Sequence, residues 1–472
     1  MQHRVEILKI RKIIRRIILA FTFVLSIIFL LTHYGKNEYT RENLEAYVHE
    51  MCGLYNVPGL SAAIIDGKNE YFINYGSDNG KAIDETNRFE LGSTTKAFTG
   101  LAVMQLEKDG KLSLEDSVSD YLPWFKPTYK KSARDITIEN LMCHTSGIPA
   151  WTISTIPAAT DHDEDFLTKT IQNIKNVDLS SEPGTHYEYA TINFDVLALI
   201  IEKITGKKFE DYVTSQILDP LDMQASFFRT NNDYKEEMVQ GYKTMFMSAH
   251  KYKAPSYYGN IAAGYLTTST SDLMKWLKTW GFYSQENSGL VKSILHHDVS
   301  KSENYFAGWY IFDDFIEHGG NNPNFCSQVI ISRKKNQAVF VLSNLAGASA
   351  TMIADGIYRI LLGESVKTGL QIDSNALADI LSMDFALLLI YFVLLFWDKK
   401  SKKACIIRMS LSVIFILAAL IFPFVFHYPY NGMFVWLPFT VIIALIAAVF
   451  VAVFNFYRAV KDLRRILWNS KI

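Results

Sequence analysis

Four long apolar runs restrict the fold of this chain more than any other feature of its sequence. They cover residues 17–31, about 380–397, 409–427 and 433–457. A helix of about 20 apolar residues crosses the roughly 30 Å of hydrocarbon in a bilayer, and the three C-terminal runs are close to that length. The sequence therefore predicts one large globular domain, residues 34–377, held between membrane-spanning segments.

Lysine and arginine are unevenly placed around these runs. They precede the first run, separate the second from the third and follow the fourth, whereas residues 427–433 contain none. Because basic loops stay on the cytoplasmic side, we predict a multi-pass protein of the cell membrane with both termini in the cytoplasm and the large domain outside. The predicted divisions are 1–33, a basic segment and signal anchor; 34–377, the extracytoplasmic domain; 378–457, three transmembrane helices; and 458–472, a basic cytoplasmic tail.

Cleavage of the first run as a signal peptide is the alternative to an anchor. The residues that follow it, Thr32-His33-Tyr34-Gly35, lack the small-x-small pattern that cleavage prefers. We therefore favour an uncleaved anchor.

Charge and cysteine content argue against several functions. The segments assigned to the cytoplasm are strongly basic, so the outer domain is acidic although the formal net charge of the chain is −1. An acidic domain argues against nucleic acid as a partner and tolerates a cationic substrate. Cys52, Cys143 and Cys326 lie in that domain without a CxxC pair. We predict no metal site and no cofactor, and no disulfide is required.

Hydrophobic periodicity gives the outline of the outer domain. Alternating residues predict a strand pair over 59–75 and a second hairpin at 325–332 and 338–342, while 41–53 and 348–363 are helical in pattern. A largely helical stretch lies between the two strand pairs. This order predicts an α+β fold, with one antiparallel sheet, flanking helices and an all-helical region.

Ser93 and Lys96 open a segment that is apolar almost all round and stops at Gly110. Residues three apart share one face of a helix. Ser93 would lie in the first turn, where free backbone N–H groups and the helix dipole favour a developing oxyanion. A lysine among apolar side chains has a lowered pKa and can take or relay the serine proton. The pattern alone is weak, since Ser332–Lys335 repeats it in a predicted strand-to-turn segment.

Three further motifs follow in a recognisable order: Leu141–Pro149 (LMCHTSGIP), Pro183–Tyr189 (PGTHYEY) and His318-Gly319-Gly320. With them the chain resembles the serine β-lactamase and penicillin-binding protein superfamily, in its class C, esterase and D-amino peptidase branch, over roughly residues 41–363.

The resemblance assigns roles to residues of this sequence. It implies that Tyr189 is a second proton-transfer group beside Ser93 and Lys96, and that the backbone N–H groups of Ser93 and Asn321 form the oxyanion hole. It further implies that the His318–Gly320 strand edge is the far wall of the site, with His318 and Gly320 contacting substrate.

Three other residues or motifs are predicted to be bystanders. The turn at His144 is structural in this family, so a catalytic triad with Ser93 is disfavoured. Lys367-Thr368-Gly369 matches an alternative wall motif, but it runs straight into the second span. Asp384 lies near the outer end of that span and is interpreted as interfacial rather than functional.

A departure from the family pattern narrows the expected function. The Y-x-N motif is Tyr189-Ala190-Thr191 here, so a hydroxyl replaces an amide. The chain is similar to the membrane-bound D-amino peptidases of the colibactin-maturing type, which remove an N-acyl-D-asparagine cap from nonribosomal-peptide prodrugs. The similarity covers residues 90–100, 189–197 and 318–325 and the three C-terminal spans. It implies a serine peptidase that activates an exported peptide or polyketide precursor.

Recognition of the cap is expected from four side chains. Glu90, Thr191 and Asn322 should converge on the acyl side of the scissile bond, and Asn260 occupies the place of a substrate-side histidine in that group. Alternatively, Glu90 caps the Ser93 helix as an N-terminal acid, and Asn322 merely closes a turn before Pro323.

The expected partners are an N-acyl-D-Asn-capped peptide, the lipid bilayer, a second copy of the chain and an export transporter of the same pathway. Two alternatives remain open at this point. One is a penicillin-binding protein, D,D-peptidase or β-lactamase-like esterase acting on the cell wall. The other is a non-catalytic membrane sensor or transport accessory.

Overall fold

The structure is a computed structural model that describes residues 10–469 except 11–12, 23, 25, 28–36, 159–164, 229–237, 281–287, 369–372, 397–400 and 426–429. It divides into two compact units. The larger unit comprises Lys36–Lys243 and Lys251–Thr368, and the smaller comprises Met1–Gly35, Thr244–His250 and Gly369–Ile472.

The larger unit is organised around an eight-stranded antiparallel sheet. In spatial order the strands are Tyr305–Phe306, Trp309–Ile311, Ile316–Asn322, Phe325–Ser332, Gln337–Ser343, Gly59–Asp66, Asn69–Asp78 and Lys81–Ala82. Both predicted hairpins are confirmed, with Asp66 paired to Asn69 and Ser332 paired to Gln337. Every residue of Phe325–Ser332 and Gln337–Ser343 is buried, so helices cover both faces of the sheet centre.

The predicted flanking helices and the helical region are also present. Ser349–Leu361 packs on the two central strands and on Leu44–Leu54. Lys96–Lys108 and Ile192–Thr205 pack on each other and are almost wholly buried. Further α-helices in the described part of this unit are Val118–Tyr121, Ile138–Met142, Phe166–Gln172, Phe209–Val213, Ile261–Gly264, Thr270–Thr279 and Ser288–Leu295. The fold is therefore the expected β-lactamase-like α+β arrangement.

Short strands complete the sheets. A separate three-stranded sheet has the order Arg88–Glu90, Leu266–Ser269, Phe227–Phe228. Its first strand leads directly into Ser93. Two-stranded pairs among the described residues are Glu38–Tyr39 with Val366–Lys367, Thr128–Tyr129 with Ser132–Ala133, and Tyr242–Met245 with Ser248–Lys251.

The smaller unit contains the apolar helices. Among the described residues, three helices are long and apolar enough to cross a membrane: Ser374–Phe396, Lys402–Val425 and Phe439–Asn469, with the short helix Tyr430–Trp436 before the last. They confirm the three predicted C-terminal apolar helices. The predicted first span, the 398–408 loop and the 427–433 turn fall partly outside the described residues.

Arg408 is one of the basic residues between the second and third apolar runs that the charge argument assigned to a loop. The structure instead places it inside the helix Lys402–Val425, where it is buried. Its guanidinium donates to Asn455 Oδ1 at 3.0 Å and pairs with Asp462 at 3.1 Å. An arginine neutralised in this way serves helix packing. The prediction that this segment faces the cytoplasm therefore rests on Lys399, Lys400, Lys402 and Lys403.

Candidate active site

Ser93 lies in a tight turn between strand Arg88–Glu90 and helix Lys96–Lys108. The turn Gly92–Thr95 is a 3₁₀ helix in which Ser93 is partly exposed and its neighbours are buried. Gly92 has a φ of +61°, and a β-carbon there would lie 2.6 Å from the backbone nitrogen of Asn321. Glycine is therefore required for the serine turn to approach the strand that ends at Asn322.

This approach brings the backbone nitrogen of Asn321 next to Gly92, the residue before Ser93. The backbone N–H groups of Ser93 and Asn321 are the two predicted to form an oxyanion hole. Gly320 contributes in the same way as Gly92, because a β-carbon on it would overlap the carbonyl oxygen of Leu91. Packing against Leu91 therefore already requires glycine at position 320, whether or not this residue also contacts substrate. The turn and the strand edge meet because neither carries a side chain at the contact.

Lys96 is fully buried and its amine reaches Ser93. Nζ donates to Ser93 Oγ at 2.9 Å, to the Ala263 carbonyl at 2.7 Å and to Thr191 Oγ1 at 3.2 Å. Burial lowers the pKa of Lys96 to about 7, and the buried Asp195 carboxylate partly offsets this fall. An amine with a pKa close to neutrality can both accept and return the serine proton.

Tyr189 lies beside both groups. Its ring centre is 5.2 Å from Lys96 Nζ. Burial raises the pKa of Tyr189 although the nearby Ser93 hydroxyl lowers it in part, so the phenol is protonated at neutral pH. Among the described residues, none is in hydrogen-bonding geometry with the Tyr189 hydroxyl. That hydroxyl is buried, and Ser93, Thr191 and Tyr305 are near enough to lower the pKa of Tyr189 in part.

His144 is part of the scaffold under Tyr189. Its ring lies 4.2 Å from the Tyr189 ring, and its Nδ1 accepts from the Ala190 N–H at 3.3 Å and faces Asn193 Nδ2 at 3.0 Å. Burial and the charge of Lys96 hold the pKa of His144 well below its usual range. A neutral ring turned toward Ala190 and Asn193 fits the structural role expected for this turn.

His318 is likewise neutral. Its Nδ1 lies 2.6 Å from the Gly319 carbonyl, to which it donates, and its Nε2 lies 3.1 Å from the Tyr305 hydroxyl. Burial first, and then the charge of Lys96, lower the pKa of His318 to about 3. Because both nitrogens already have partners, the ring can contact substrate through its carbon edge or its face.

Two of the predicted cap readers form a buried pair beside the serine turn. Asn322 Nδ2 donates to Glu90 Oε2 at 2.8 Å and to the Gly264 carbonyl at 2.9 Å. Both hydrogens of the Asn322 amide are therefore engaged, and its carbonyl oxygen remains as an acceptor. The two side chains bond to each other, so Glu90 acts here as more than a helix cap and Asn322 as more than a turn residue.

A polar cavity of about 450 Å³ adjoins Glu90 and is also lined by Asp78, Gln240, Tyr252 and Asn324.

The other two predicted readers have different partners. Thr191 accepts the hydrogen bond from Lys96. Asn260 is buried, and with its amide nitrogen turned toward Asp195 it donates to the two carboxylate oxygens at 2.7 and 3.3 Å. Sequence reasoning did not single out Asp195 as a buried polar group next to a predicted site residue. The available signal was a single acid in a segment, Ile192–Ile201, that is apolar apart from Asn193 and Asp195 and is buried throughout.

The two look-alike motifs have structural roles. Ser332 ends a strand and donates to the Asp314 carbonyl at 2.8 Å, with no helix following it. Lys367 belongs to the strand paired with Glu38–Tyr39, and Thr368 donates to Glu50 at 2.7 Å. Neither motif has the setting of the Ser93 turn.

The sheet, the serine at the start of a buried helix and the lysine one turn later define a class, the serine hydrolases that include β-lactamases and penicillin-binding proteins. The chain belongs to the beta-lactamase family, whose model matches residues 42–364.

Two curated relatives come from Staphylococcus aureus. Protein flp of strain N315 is 33% identical over 305 residues, which is 61% of this chain and 60% of the relative, so the chain matches less than two thirds of its length. Teichoic acid D-alanine hydrolase is 28% identical over 341 residues, covering 70% of this chain and 80% of that protein.

Among solved structures, the octameric penicillin-binding protein homologue from Pyrococcus abyssi superposes with a TM-score of 0.59. It is 24% identical and covers 68% of this chain and 77% of its own. At this identity the match supports the fold of the large unit.

Proposed function

We propose that this protein is a membrane-bound serine D-amino peptidase that hydrolyses the amide after an N-acyl-D-asparagine cap and so activates an exported nonribosomal-peptide or polyketide prodrug. The observation that carries the proposal is the buried Asn322–Glu90 pair beside the Ser93 turn. A buried polar pair next to a nucleophile supports recognition of a polar substrate group.

The chemistry follows from the site. Ser93 Oγ attacks the acyl carbon of the cap as Lys96 takes its proton, and the backbone N–H groups of Ser93 and Asn321 stabilise the oxyanion. Tyr189, protonated and adjacent, is suited to pass a proton to the departing amine. The amine leaves, an ester on Ser93 remains, and water attacks that ester with the same groups in reverse order.

Cap recognition is supported by donor and acceptor chemistry. The carboxamide of asparagine offers two N–H donors and one acceptor. The Glu90 carboxyl and the Asn322 carbonyl are acceptors, and the Thr191 hydroxyl can donate or accept. A D-alanine cap, whose methyl group forms no hydrogen bonds, would offer no donor to the Asn322 carbonyl oxygen.

A second candidate is a D-alanyl hydrolase or D,D-peptidase of the cell wall. The name of one relative, teichoic acid D-alanine hydrolase, favours it. Both candidates use the same Ser93 chemistry and differ in the acyl group that is recognised.

Asn322→Leu tests the cap reader. We expect kcat/KM for an N-acyl-D-Asn amide to fall by at least ~2 kcal/mol, about 30-fold, because Glu90 and Gly264 lose their donor and the cap loses an acceptor. Activity on an N-acyl-D-Ala amide should change much less, which makes that substrate an internal control for correct folding. Equal losses on both substrates in steady-state assays would remove Asn322 from recognition.

The same proposal places the large unit outside the cytoplasm. A reporter inserted among residues 398–401 should report the cytoplasm, because Lys399, Lys400, Lys402 and Lys403 favour that side, and one inserted at 427–429 should report the outside. Because opposite signals are expected, each insertion shows that the reporter in the other one is expressed and functional. Reversed signals would contradict the orientation.

A further inference from the structure

Two half-buried tyrosines, Tyr187 and Tyr310, lie next to the active site and take no part in the steps described above. Their hydroxyls are hydrogen-bonded to each other at 2.8 Å. Tyr187 lies two residues before Tyr189, and Tyr310 belongs to strand Trp309–Ile311 of the large sheet. The bond therefore joins the Tyr189 side of the site to the sheet.

The rings behind this pair form a continuous aromatic layer. The centre of the Tyr310 ring lies 5.8 Å from that of His318 and 5.0 Å from that of Tyr305. The Tyr187 ring lies 6.2 Å from the Tyr305 ring. Tyr305 and His318 are buried, whereas Tyr187 and Tyr310 are partly exposed. The two tyrosines therefore carry the aromatic layer to its exposed edge.

The strand Ile316–Asn322 shows on which side of the scissile bond this layer lies. Asn322, at the end of the strand, is the proposed reader of the acyl group, and the backbone N–H of Asn321 is assigned to the oxyanion. His318 precedes Asn321 by three residues, which is about 10 Å along a strand. The acyl group and His318 therefore lie on opposite sides of the reacting carbonyl. The His318 side is left for the departing amine.

The position of Tyr189 agrees with this placement. Tyr189 is the group suited to pass a proton to the departing amine, and its ring lies 6.1 Å from the His318 ring and 5.8 Å from the Tyr305 ring. The proposed proton donor thus packs on the same aromatic layer. An amine that leaves along this layer would meet the Tyr187–Tyr310 pair next.

We propose that Tyr187 and Tyr310 are specificity-determining residues that form the subsite for the leaving amine and favour amines carrying an aromatic ring close to the nitrogen. Aromatic side chains bind other aromatic rings in offset or edge-to-face contacts, which add to the gain from apolar burial. A saturated ring of the same size provides the apolar area without those contacts. The inference rests on one part of the proposed function, an acyl group placed beside Asn322, whatever that acyl group is, and it adds the class of the released amine.

The test uses two amines of similar size, benzylamine and cyclohexylmethylamine, on the full-length protein. Each amine competes with a fluorophosphonate probe for the Ser93 site, and the rate of labelling is measured by intact-protein mass spectrometry. We expect benzylamine to halve the labelling rate of the wild type at an about fivefold lower concentration than cyclohexylmethylamine, because only benzylamine forms ring contacts. In Tyr310→Leu and in Tyr187→Leu this difference should disappear.

Two control variants separate recognition from folding. Tyr310→Phe keeps the ring and removes the hydroxyl bond, so the preference for benzylamine should remain. Tyr75→Leu makes the leucine change on a half-buried tyrosine of strand Asn69–Asp78 whose ring packs on His49, and it should leave the preference intact. Equal competition by the two amines in the wild type, or a preference that survives in both leucine variants, would overturn the proposal. The wild-type comparison decides the matter even where a leucine variant does not fold.

The probe also separates this inference from the proposed function, since labelling of Ser93 requires no asparagine cap. A benzylamine preference in an enzyme that ignores D-Asn caps would preserve the aromatic subsite and refute the prodrug peptidase. Equal competition by the two amines in an enzyme that cleaves those caps would do the reverse.

Discussion

Replacing Ser93 by alanine is expected to abolish turnover, with kcat falling by at least about 10⁴-fold, while the domain stays folded. The Ser93 side chain is partly exposed, so removing one oxygen creates no large cavity. Lys96 keeps its bonds to Thr191 and to the Ala263 carbonyl. Initial rates and a thermal melt on the same preparation check both halves of this expectation.

The matched control is Ser332→Ala, which removes the serine of the repeated pattern. Ser332 is buried and bonds to the Asp314 carbonyl, so the variant should lose about 1 kcal/mol of stability and keep its activity. A Ser93→Ala enzyme that still turns over would remove Ser93 as the nucleophile.

Lys96 and Tyr189 should fail together with Ser93. Lys96→Met keeps most of the buried volume, and Tyr189→Phe keeps the ring that packs on His144. Each variant should lower kcat by several orders of magnitude. In Lys96→Met the serine proton has no acceptor, and in Tyr189→Phe the departing amine has no donor. Combined with Ser93→Ala, neither should reduce the rate further, since groups acting as one unit are not additive.

The sequence could predict those parts of the fold that depend on local pattern. The hairpins at 59–78 and 325–343 follow from alternating residues around short polar turns, and Lys96–Lys108 from an apolar segment closed by glycine. The three-stranded sheet that begins at Arg88–Glu90 was missed, because strands of two to four residues show no periodicity and their pairing is long-range.

At the site, residue types were easier to predict than contacts. Ser93, Lys96 and Tyr189 were named from their motifs, and the structure brings them together. The Asn260–Asp195 contact joins residues 65 positions apart through the packing of two helical segments, which no local spacing encodes. Arg408 is an example of a residue whose environment was predicted wrongly. A charged residue beside an apolar run suggests a loop, and only the structure shows that Asp462, on another helix, pairs with it.

In the proposed function, Ser93 attacks an amide that follows an N-acyl-D-asparagine cap. The most direct measurement uses purified full-length enzyme and three amides of one amine, capped with N-myristoyl-D-Asn, N-myristoyl-D-Ala and N-myristoyl-L-Asn, with product formation followed by mass spectrometry. We expect a kcat/KM for the D-Asn amide at least about 100-fold above the other two, because a site that hydrogen-bonds a primary amide rejects a substrate unable to form those bonds. Similar rates for all three would contradict the prodrug peptidase and leave a serine hydrolase of the beta-lactamase family with another substrate.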